Sequence, residues 1–297
     1  MNEKVSILIP TFNGKELLEK YLGSILSACE NSKNNILEVI VIDDGSTDKT
    51  IDYLKKNFPK VRTIKHTVNR GFSSAINTGV RMAKGEFISL LNNDVSVDID
   101  FIESSLKLFE QKEVFAVSFH EKGYGGSHGK FMDGFVVHIG QKETQNVVKT
   151  FWANGGSCIM RRKVFLELGS FDEQLLSPYY WEDLDLSYRA QKRGFIILWN
   201  PQSHVTHIHE STTSKISKKY KERILERNQL LFIWKNLTSK VYMRKHLIGL
   251  VKRIIKHPGY ILILVMGIYK LPIVLKRRRK EVKESKISDE AIFSSFS

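Results

Sequence analysis

The sequence predicts an α/β domain built on a mainly parallel central sheet, and three observations carry that prediction. Short apolar runs alternate with helix-spaced patterns through the first third of the chain. Each apolar run stops abruptly at polar residues, as in Ile88-Ser89-Leu90-Leu91 followed by Asn92-Asn93-Asp94. The 297 residues are 42% hydrophobic, which is enough for one large domain or two modest ones with a real core.

Val5 to Ile9 reads as a buried strand, and Leu18, Leu22 and Ile25 then recur at helical spacing. Leu37 to Ile42 is a second strand, closed by "DDGSTD". There Gly45 permits a tight turn, and Thr47 or Asp48 can cap a helix from Lys49 to Phe58. Val61 to Ile64 is a third strand. After "TVNRGF", Ala75, Ile76, Gly79, Val80 and Ala83 mark a helix face, and Phe87 to Leu91 is the fourth strand. Strands that alternate with helices imply right-handed crossovers and parallel pairing. Val114 to Val148 is glycine-rich around "EKGYGGSHGKFMDG" and fits either a loop or an irregular strand pair. In "WANGGSCIMRRKVFLELGSFDE" a glycine turn leads into a short strand and a helix carrying Val164, Phe165 and Leu168. "YYWEDLDLSYRAQKRGF" predicts a helix from near Glu182 to Gly194, with Phe195 to Trp199 as a strand. No internal repeat and no linker precede about Lys240.

Cys29 and Cys158 give neither a CxxC pattern nor a disulfide framework, so a reducing, cytosolic compartment is expected. Val5 to Pro10 is too short for a secretory apolar region, and the domain is expected to stay on the side of the membrane where it is made. The net charge of +14 is uneven: residues 240–297 hold fourteen Lys and Arg against four Asp and Glu, which places +10 there. Such a segment suits an anionic membrane surface or a nucleic acid. Its "GYILILVMGIYKLPIVLKRRRK" is shorter than the roughly 20 apolar residues of a spanning helix, and Lys270 and Pro272 interrupt it. It reads as an interfacial or re-entrant segment on the inner leaflet, with Lys276 to Lys280 on anionic headgroups. Nucleic-acid binding would explain the charge but not the apolar run. A buried helix or an oligomer contact is the alternative.

In open α/β sheets the ligand lies beyond the carboxyl ends of the strands. Four polar strand ends collect there: Pro10, Thr11 and Asn13; Asp43 and Asp44; Asn69 and Arg70; and Asn92, Asn93 and Asp94. One polar strand end would mean little, but four together point to a site.

Taken in order, "ILIPTFNG", "VIDDGSTD", "NRGFSSAINTGVRMAKGEFISLLNNDV", "GGSCIMRR" and "FDEQLLSPYYWEDLDLSYRAQKRGF" resemble the inverting family 2 glycosyltransferases, across roughly Val5 to Asn236. The likeness is greatest to the rhamnosyltransferase-type members that build bacterial surface polysaccharides. It implies a GT-A fold, a Rossmann-like nucleotide-sugar-binding architecture, over residues 1–239. Residues 240–297 would then form a basic, apolar helical segment for membrane association. It also implies that Asp94 holds a divalent cation, Mg²⁺ or Mn²⁺, against the donor diphosphate. The family motif is Asp-any-Asp, so Asn92 stands where the first acid is usual and, with Asn93, offers uncharged contacts to ribose or phosphate. Asp43 and Asp44 would bind the nucleotide, since a carboxylate accepts from the imide N–H of uracil or thymine, which cytosine lacks. Pro10, Thr11 and Asn13 would frame the base, with Asn69 and Arg70 nearby.

In "WEDLD" the resemblance implies a general base that takes the acceptor proton, assigned to Asp183, with Glu182 binding acceptor hydroxyls. Asp185 is the structural alternative. Trp181, Tyr180 and Tyr179 would offer a flat surface to an acceptor sugar, although aromatics beside a helix start also serve as core. In "SHVTHIHEST" His207 and His209 share a face if the stretch is extended, and His207 matches a metal ligand of related enzymes. Arg223 and Arg227, one helical turn apart, would contact the diphosphate.

The expected function is transfer of one sugar, with inversion, from dTDP-rhamnose or a UDP-sugar to a lipid-linked or polymeric glycan in bacterial surface polysaccharide synthesis. The expected location is cytoplasmic, peripheral on the inner face of the membrane, without a nucleic-acid partner and with room for a homo-oligomer. The alternative is a non-catalytic scaffold that binds nucleotide sugar within an assembly complex.

Overall fold

The computed structural model describes residues 4–208 and 217–296. Its sheet begins with β1 (Val5–Thr11), β2 (Ile36–Asp43), β3 (Arg62–Lys65) and β4 (Phe87–Leu91), joined by α1 (Lys15–Ala28), α2 (Thr50–Asn57) and α3 (Phe72–Met82). These four strands lie in the order β3-β2-β1-β4 and all pair in parallel, as the alternating pattern predicts. The second helix has Lys49 at its N-cap position without a side-chain cap bond, and Asp48, one residue earlier, takes the first helical N–H instead. One of the Asp48 carboxylate oxygens accepts from Thr50 N at 3.1 Å, and the other accepts from Lys15 N at 3.0 Å, so one side chain satisfies the first N–H of both α2 and α1.

Beyond β4 the sheet becomes mixed. β10 (Ser157–Arg161) runs antiparallel to both β4 and β6 (Val114–Glu121). β11 (Ile196–His207) is parallel to β6, and β5 (Val95–Val97) and β9 (Val148–Lys149) pair antiparallel to it. The glycine-rich stretch resolves into a two-stranded hairpin, β7 (Ser127–Met132) and β8 (Phe135–Gly140), so of the two readings left open the strand pair holds.

One face of the sheet buries Ile7, Ile9, Val39 and Val41 against Leu18, Leu22 and Ile25 of α1 and Leu106 of α4 (Glu103–Leu108). The other buries Leu8, Ile40 and Ile42 against Ala75, Ile76 and Val80 of α3, with Phe165 of α5 (Arg162–Glu167) and Leu186 of α6 (Glu182–Lys192). Alternate residues of β1 and β2 thus serve opposite layers, which is why these strands read as continuous apolar runs.

A third apolar cluster joins the hairpin and α6 to α7 (Lys218–Asn236), α8 (Lys240–Lys256), α9 (Ile261–Tyr269), α10 (Leu271–Glu284) and α11 (Asp289–Ser294). Phe135, Tyr188 and Phe232 meet Leu250, Ile263, Val274 and Phe293 there. Ion pairs seal the same junction: Arg193 lies 2.7 Å from Glu281, and Lys192 lies 2.6 Å from Asp289. The C-terminal helices are therefore packed on the sheet domain along one side, while Ile255, Ile261, Val265 and Tyr269 stay exposed on the other.

Candidate active site

A chain of hydrogen bonds links the carboxyl ends of β1, β2 and β4 to the start of α6. Asp43 ends β2; its Oδ1 accepts from Ser46 N at 3.2 Å, and its buried Oδ2 has no hydrogen-bond partner among the described residues. Ser46 Oγ in turn accepts from Asn13 N at 2.7 Å, while Asn13 Oδ1 accepts from Thr47 N at 2.8 Å. The turn is tight enough to need Gly45, whose φ is 82° and where a Cβ would overlap the Val68–Asn69 backbone. Thr11 Oγ1 accepts from Asn93 Nδ2 at 2.9 Å. Asn92 N donates to Gly156 O at 2.9 Å, and a Cβ on Gly156 would overlap the Asn92 amide. One residue earlier, Gly155 N donates to Asp183 Oδ2 at 3.2 Å. Thr11, Asn13, Asp43, Asn92, Asn93 and Asp183 therefore belong to one connected structure.

Pro10 is buried within β1, past the last pair with β4, so its missing N–H costs no ladder bond. Asp44 faces away from the open edge. Both its oxygens accept from Arg70 N at 3.0 Å, Gly71 N adds a bond at 2.7 Å, and His66 Nδ1 lies at 2.7 Å. Fully used in this way, Asp44 shapes the loop holding Asn69 and Arg70 and leaves Asp43 as the carboxylate of the pair with an open oxygen. The Asn69 side chain accepts from Gly71 N at 3.1 Å, and the half-exposed Arg70 guanidinium lies 3.9 Å from Glu173.

Asp94 follows β4 and is buried, with its Oδ2 unpartnered among the described residues. Its Oδ1 lies 2.9 Å from His207 Nε2 at the end of β11, and His207 Nδ1 lies 3.5 Å from Glu121 Oε2. Burial works to lower the His207 imidazole, but the hydrogen bond and charge of Asp94, with Glu121 behind it, outweigh this and raise it. The two oxygens of the Asp94 carboxylate, with the His207 imidazole in its neutral form, make a donor set that Mn²⁺ or Mg²⁺ accepts when phosphate oxygens and water complete the shell, so a bound cation would displace the proton held between them. No group of three or more protein ligands occurs among the described residues. His209, the second histidine of that face, lies outside them.

At the start of α6, Asp183 Oδ1 accepts from Leu184 N at 2.8 Å in addition to the Gly155 bond. Burial pushes the Asp183 carboxyl up, opposed by these two N–H groups and by His138. Glu182 is raised as well, by burial first and then by the charge of Asp183. Its Oε2 is buried without a partner among the described residues, so the proton shared by this pair favours Glu182 and the charge favours Asp183. The linkage has a definite sign. A carboxyl raised in the folded state costs nothing below its unfolded range, and the cost grows as pH climbs from there towards the folded value. Glu182→Gln is therefore expected to stabilise the protein by roughly 1–3 kcal/mol at pH 8, with the gain fading towards pH 4. Thermal melts of both proteins across that range check it; a gain that grows as pH falls would contradict it.

Two of the predicted contacts, Trp181 and Arg227, take other roles. Trp181 is only 5% exposed and packs on Phe232 with ring centroids 5.1 Å apart, so it is core and offers no face to a sugar. Tyr180 remains partly exposed. Both residues adopt positive φ, 72° and 76°, a backbone that bulky residues take only under restraint. Asn228 supplies the restraint by donating to the carbonyls of Leu176, Tyr179 and Tyr180 at 2.6, 3.0 and 2.9 Å. Arg227 is buried and donates to Ser177 O at 2.7 Å and to the Asn228 side chain, so it fixes this loop and does not reach for a diphosphate. Arg223, one turn earlier, is partly exposed. Asp185 is wholly structural, as its alternative reading had it. Burial alone would push its carboxyl up, yet Arg189, Lys235 and Asn236 hold it down at about 2.

Sequence reasoning missed His138 and Glu121. His138 of β8 stands beside Trp152, with ring centroids 4.5 Å apart, and feels the charge of Asp183. Neither residue sits in a motif; only the hairpin and the β6–β11 pairing bring them to the site.

The family model for glycosyl transferase family 2 matches residues 6–169, more than half of the chain, and the chain belongs to that family. A poly(ribitol-phosphate) beta-glucosyltransferase of Bacillus spizizenii is 36% identical over 95 residues, 31% of this chain and 15% of that protein. Other curated relatives are likewise matched over less than two thirds of their own length. Among solved structures, GalNAc-T7 with UDP, GalNAc and Mn²⁺ aligns with 80% of this chain and 48% of its own, at a TM-score of 0.63 and 18% identity. S. aureus TarS 1-349 in complex with UDP-GlcNAc aligns with 95% of this chain and 89% of its own, at a TM-score of 0.55 and 19% identity. The fold is that of the GT-A glycosyltransferases, and the expected class of architecture holds.

Proposed function

We propose that the protein transfers a single sugar, with inversion at the anomeric carbon, from a uridine or thymidine diphosphate sugar to a hydroxyl of a lipid-linked or polymeric glycan. The observation that carries this reading is the placing of Asp43, Asp94 and Asp183 at neighbouring strand and helix ends: one open carboxylate oxygen, one buried carboxylate against an imidazole, and one base at a helix start. The single base is what a direct displacement requires, because the attacking hydroxyl must lose one proton. Asp183, with its carboxyl raised by burial, is a better proton acceptor near neutral pH than an ordinary aspartate. Glu182, protonated beside it, can donate to an acceptor oxygen and keeps negative charge off the neighbouring position. Asp43 Oδ2 accepts the imide N–H of uracil or thymine, and Asn92 and Asn93 serve the ribose and phosphate side. Asp94 and His207 would hold Mg²⁺ or Mn²⁺, which when bound neutralises the diphosphate leaving group.

The acceptor reading is supported by a relative that is named for glucosylating poly(ribitol-phosphate). dTDP-rhamnose is the first donor to test, because the Asn92-Asn93-Asp94 form of the motif favours it. Residues 1–239 would carry the catalysis, and residues 240–297 would hold the enzyme on the inner face of the membrane. Incubation with dTDP-rhamnose or UDP-sugars and a bacterial glycolipid extract, followed by NMR of the product anomer, tests the proposal. The expected product has the opposite anomeric configuration to the donor. Tight donor binding with no transfer from any of these sugars would instead support a nucleotide-sugar-binding scaffold.

A further inference from the structure

We propose that the protein docks on an anionic lipid surface through the outer sides of α8 and α9, and not through the basic block Lys276 to Lys280. This rests on the membrane reading given above and assigns the contact to different side chains. The inner side of α8 is fixed to the hairpin: His246 Nδ1 lies 2.7 Å from Gly134 O, and Gly249 and Leu250 are buried beside it. The outer side carries Leu247, Val251 and Ile255 at i, i+4 and i+8, one face of the helix, and Ile255 is 75% exposed. A neighbouring stripe of exposed lysines, Lys245, Lys252 and Lys256, runs beside it at i, i+7 and i+11.

α9 continues the apolar outer side, without lysines of its own. Gly267 turns inward, where a Cβ would press on the Trp234 ring, and Ile263 is buried with it. Ile261, Val265 and Tyr269 turn outward, and Tyr269 is 87% exposed. Apolar residues with lysines along one edge are the pattern of a helix lying in the headgroup region.

Charge decides what covers this face. Residues 240–280 contain twelve Lys and Arg and no Asp or Glu. A second copy of the chain would bring like charge against like charge, whereas an anionic leaflet neutralises it. The basic block is partly committed to the protein itself, because Arg277 Nε lies 3.3 Å from Asp172 and Arg278 donates to Trp234 O at 2.8 Å. Among the described residues no single helix is long and apolar enough to cross a membrane. The pair Pro258–Tyr269 and Leu271–Glu284, which passes on length and composition together, is bent by 66°.

Co-sedimentation of the full chain with phosphatidylcholine vesicles, with and without phosphatidylglycerol, tests the assignment. Wild type is expected to bind the phosphatidylglycerol vesicles. Val251→Glu with Ile255→Glu should weaken this by at least about tenfold, and Lys276→Glu with Arg279→Glu by less. An unchanged circular dichroism spectrum and UDP affinity would show that each variant is folded. Loss of binding on changing the basic block, with the α8 variant unaffected, would overturn this surface while leaving the membrane reading intact. No binding by wild type would overturn both. A wild-type dimer that the α8 variant dissociates would assign the face to a second copy instead.

Discussion

Asp183→Asn is expected to lower sugar transfer by about 10²–10⁴-fold while leaving nucleotide affinity within about twofold of wild type. The amide keeps the shape of the carboxylate, and its one oxygen can still accept from either Gly155 N or Leu184 N, which bond different oxygens of Asp183, so the start of α6 keeps one of these two ties. What it removes is the ability to take a proton. The loss should therefore fall on turnover and not on binding, which separates a base from a residue that merely holds the loop. Asp185→Asn should behave in the opposite way, losing stability first, because its carboxylate meets Arg189 at 2.8 Å and Lys235 at 2.9 Å. Steady-state kinetics beside nucleotide titrations of both variants would check this. Equal loss of binding and turnover in Asp183→Asn would contradict the assignment of the base.

Asp289→Ala is expected to destabilise the whole domain by about 3–5 kcal/mol. This carboxylate is completely buried, accepts from Tyr188 Oη at 2.7 Å and from Thr238 N and Ser239 N at 2.7 and 2.6 Å, and pairs with Lys192. Alanine would leave Lys192 as a buried cation without its counter-ion and two backbone N–H groups without their acceptor. Because α6 begins with Glu182 and Asp183, the variant ties the C-terminal helices to the state of the active site. Urea melts monitored by tryptophan fluorescence would measure the loss. A change under about 1 kcal/mol would mean that the C-terminal helices contribute little to the fold.

The parallel half of the sheet was legible in the sequence because a fully buried strand between two helical layers is almost wholly apolar, with only the small Ser6 and Ser89 interrupting the two clearest runs. Val5 to Ile9 and Phe87 to Leu91 announce themselves for that reason. The mixed half was less so: β11 pairs with β6, β5 and β9 through contacts distant in sequence, and the hairpin at β7–β8 is rich in glycine and polar residues. The site shows the same division. Thr11, Asp43, Asn92 and Asp94 follow apolar runs and were readable as strand ends. The separate roles of Asp43 and Asp44 were not, because adjacent side chains of one type differ only in the direction they face. Arg227 looked like a phosphate ligand because its burial depends on the 176–181 loop folding back onto α7. Trp181 belongs to the core for a related reason: the left-handed backbone before α6 turns its ring onto Phe232.

Calorimetric titration of the protein with UDP, dTDP, GDP and CDP, each with and without Mn²⁺, tests most directly that a nucleotide-sugar site lies at the ends of β1, β2 and β4. The predicted result is binding of UDP or dTDP that Mn²⁺ strengthens, weaker binding of CDP and GDP, and loss of the Mn²⁺ effect in Asp94→Ala. Equal affinity for all four nucleotides, or a Mn²⁺ effect that survives Asp94→Ala, would contradict the account.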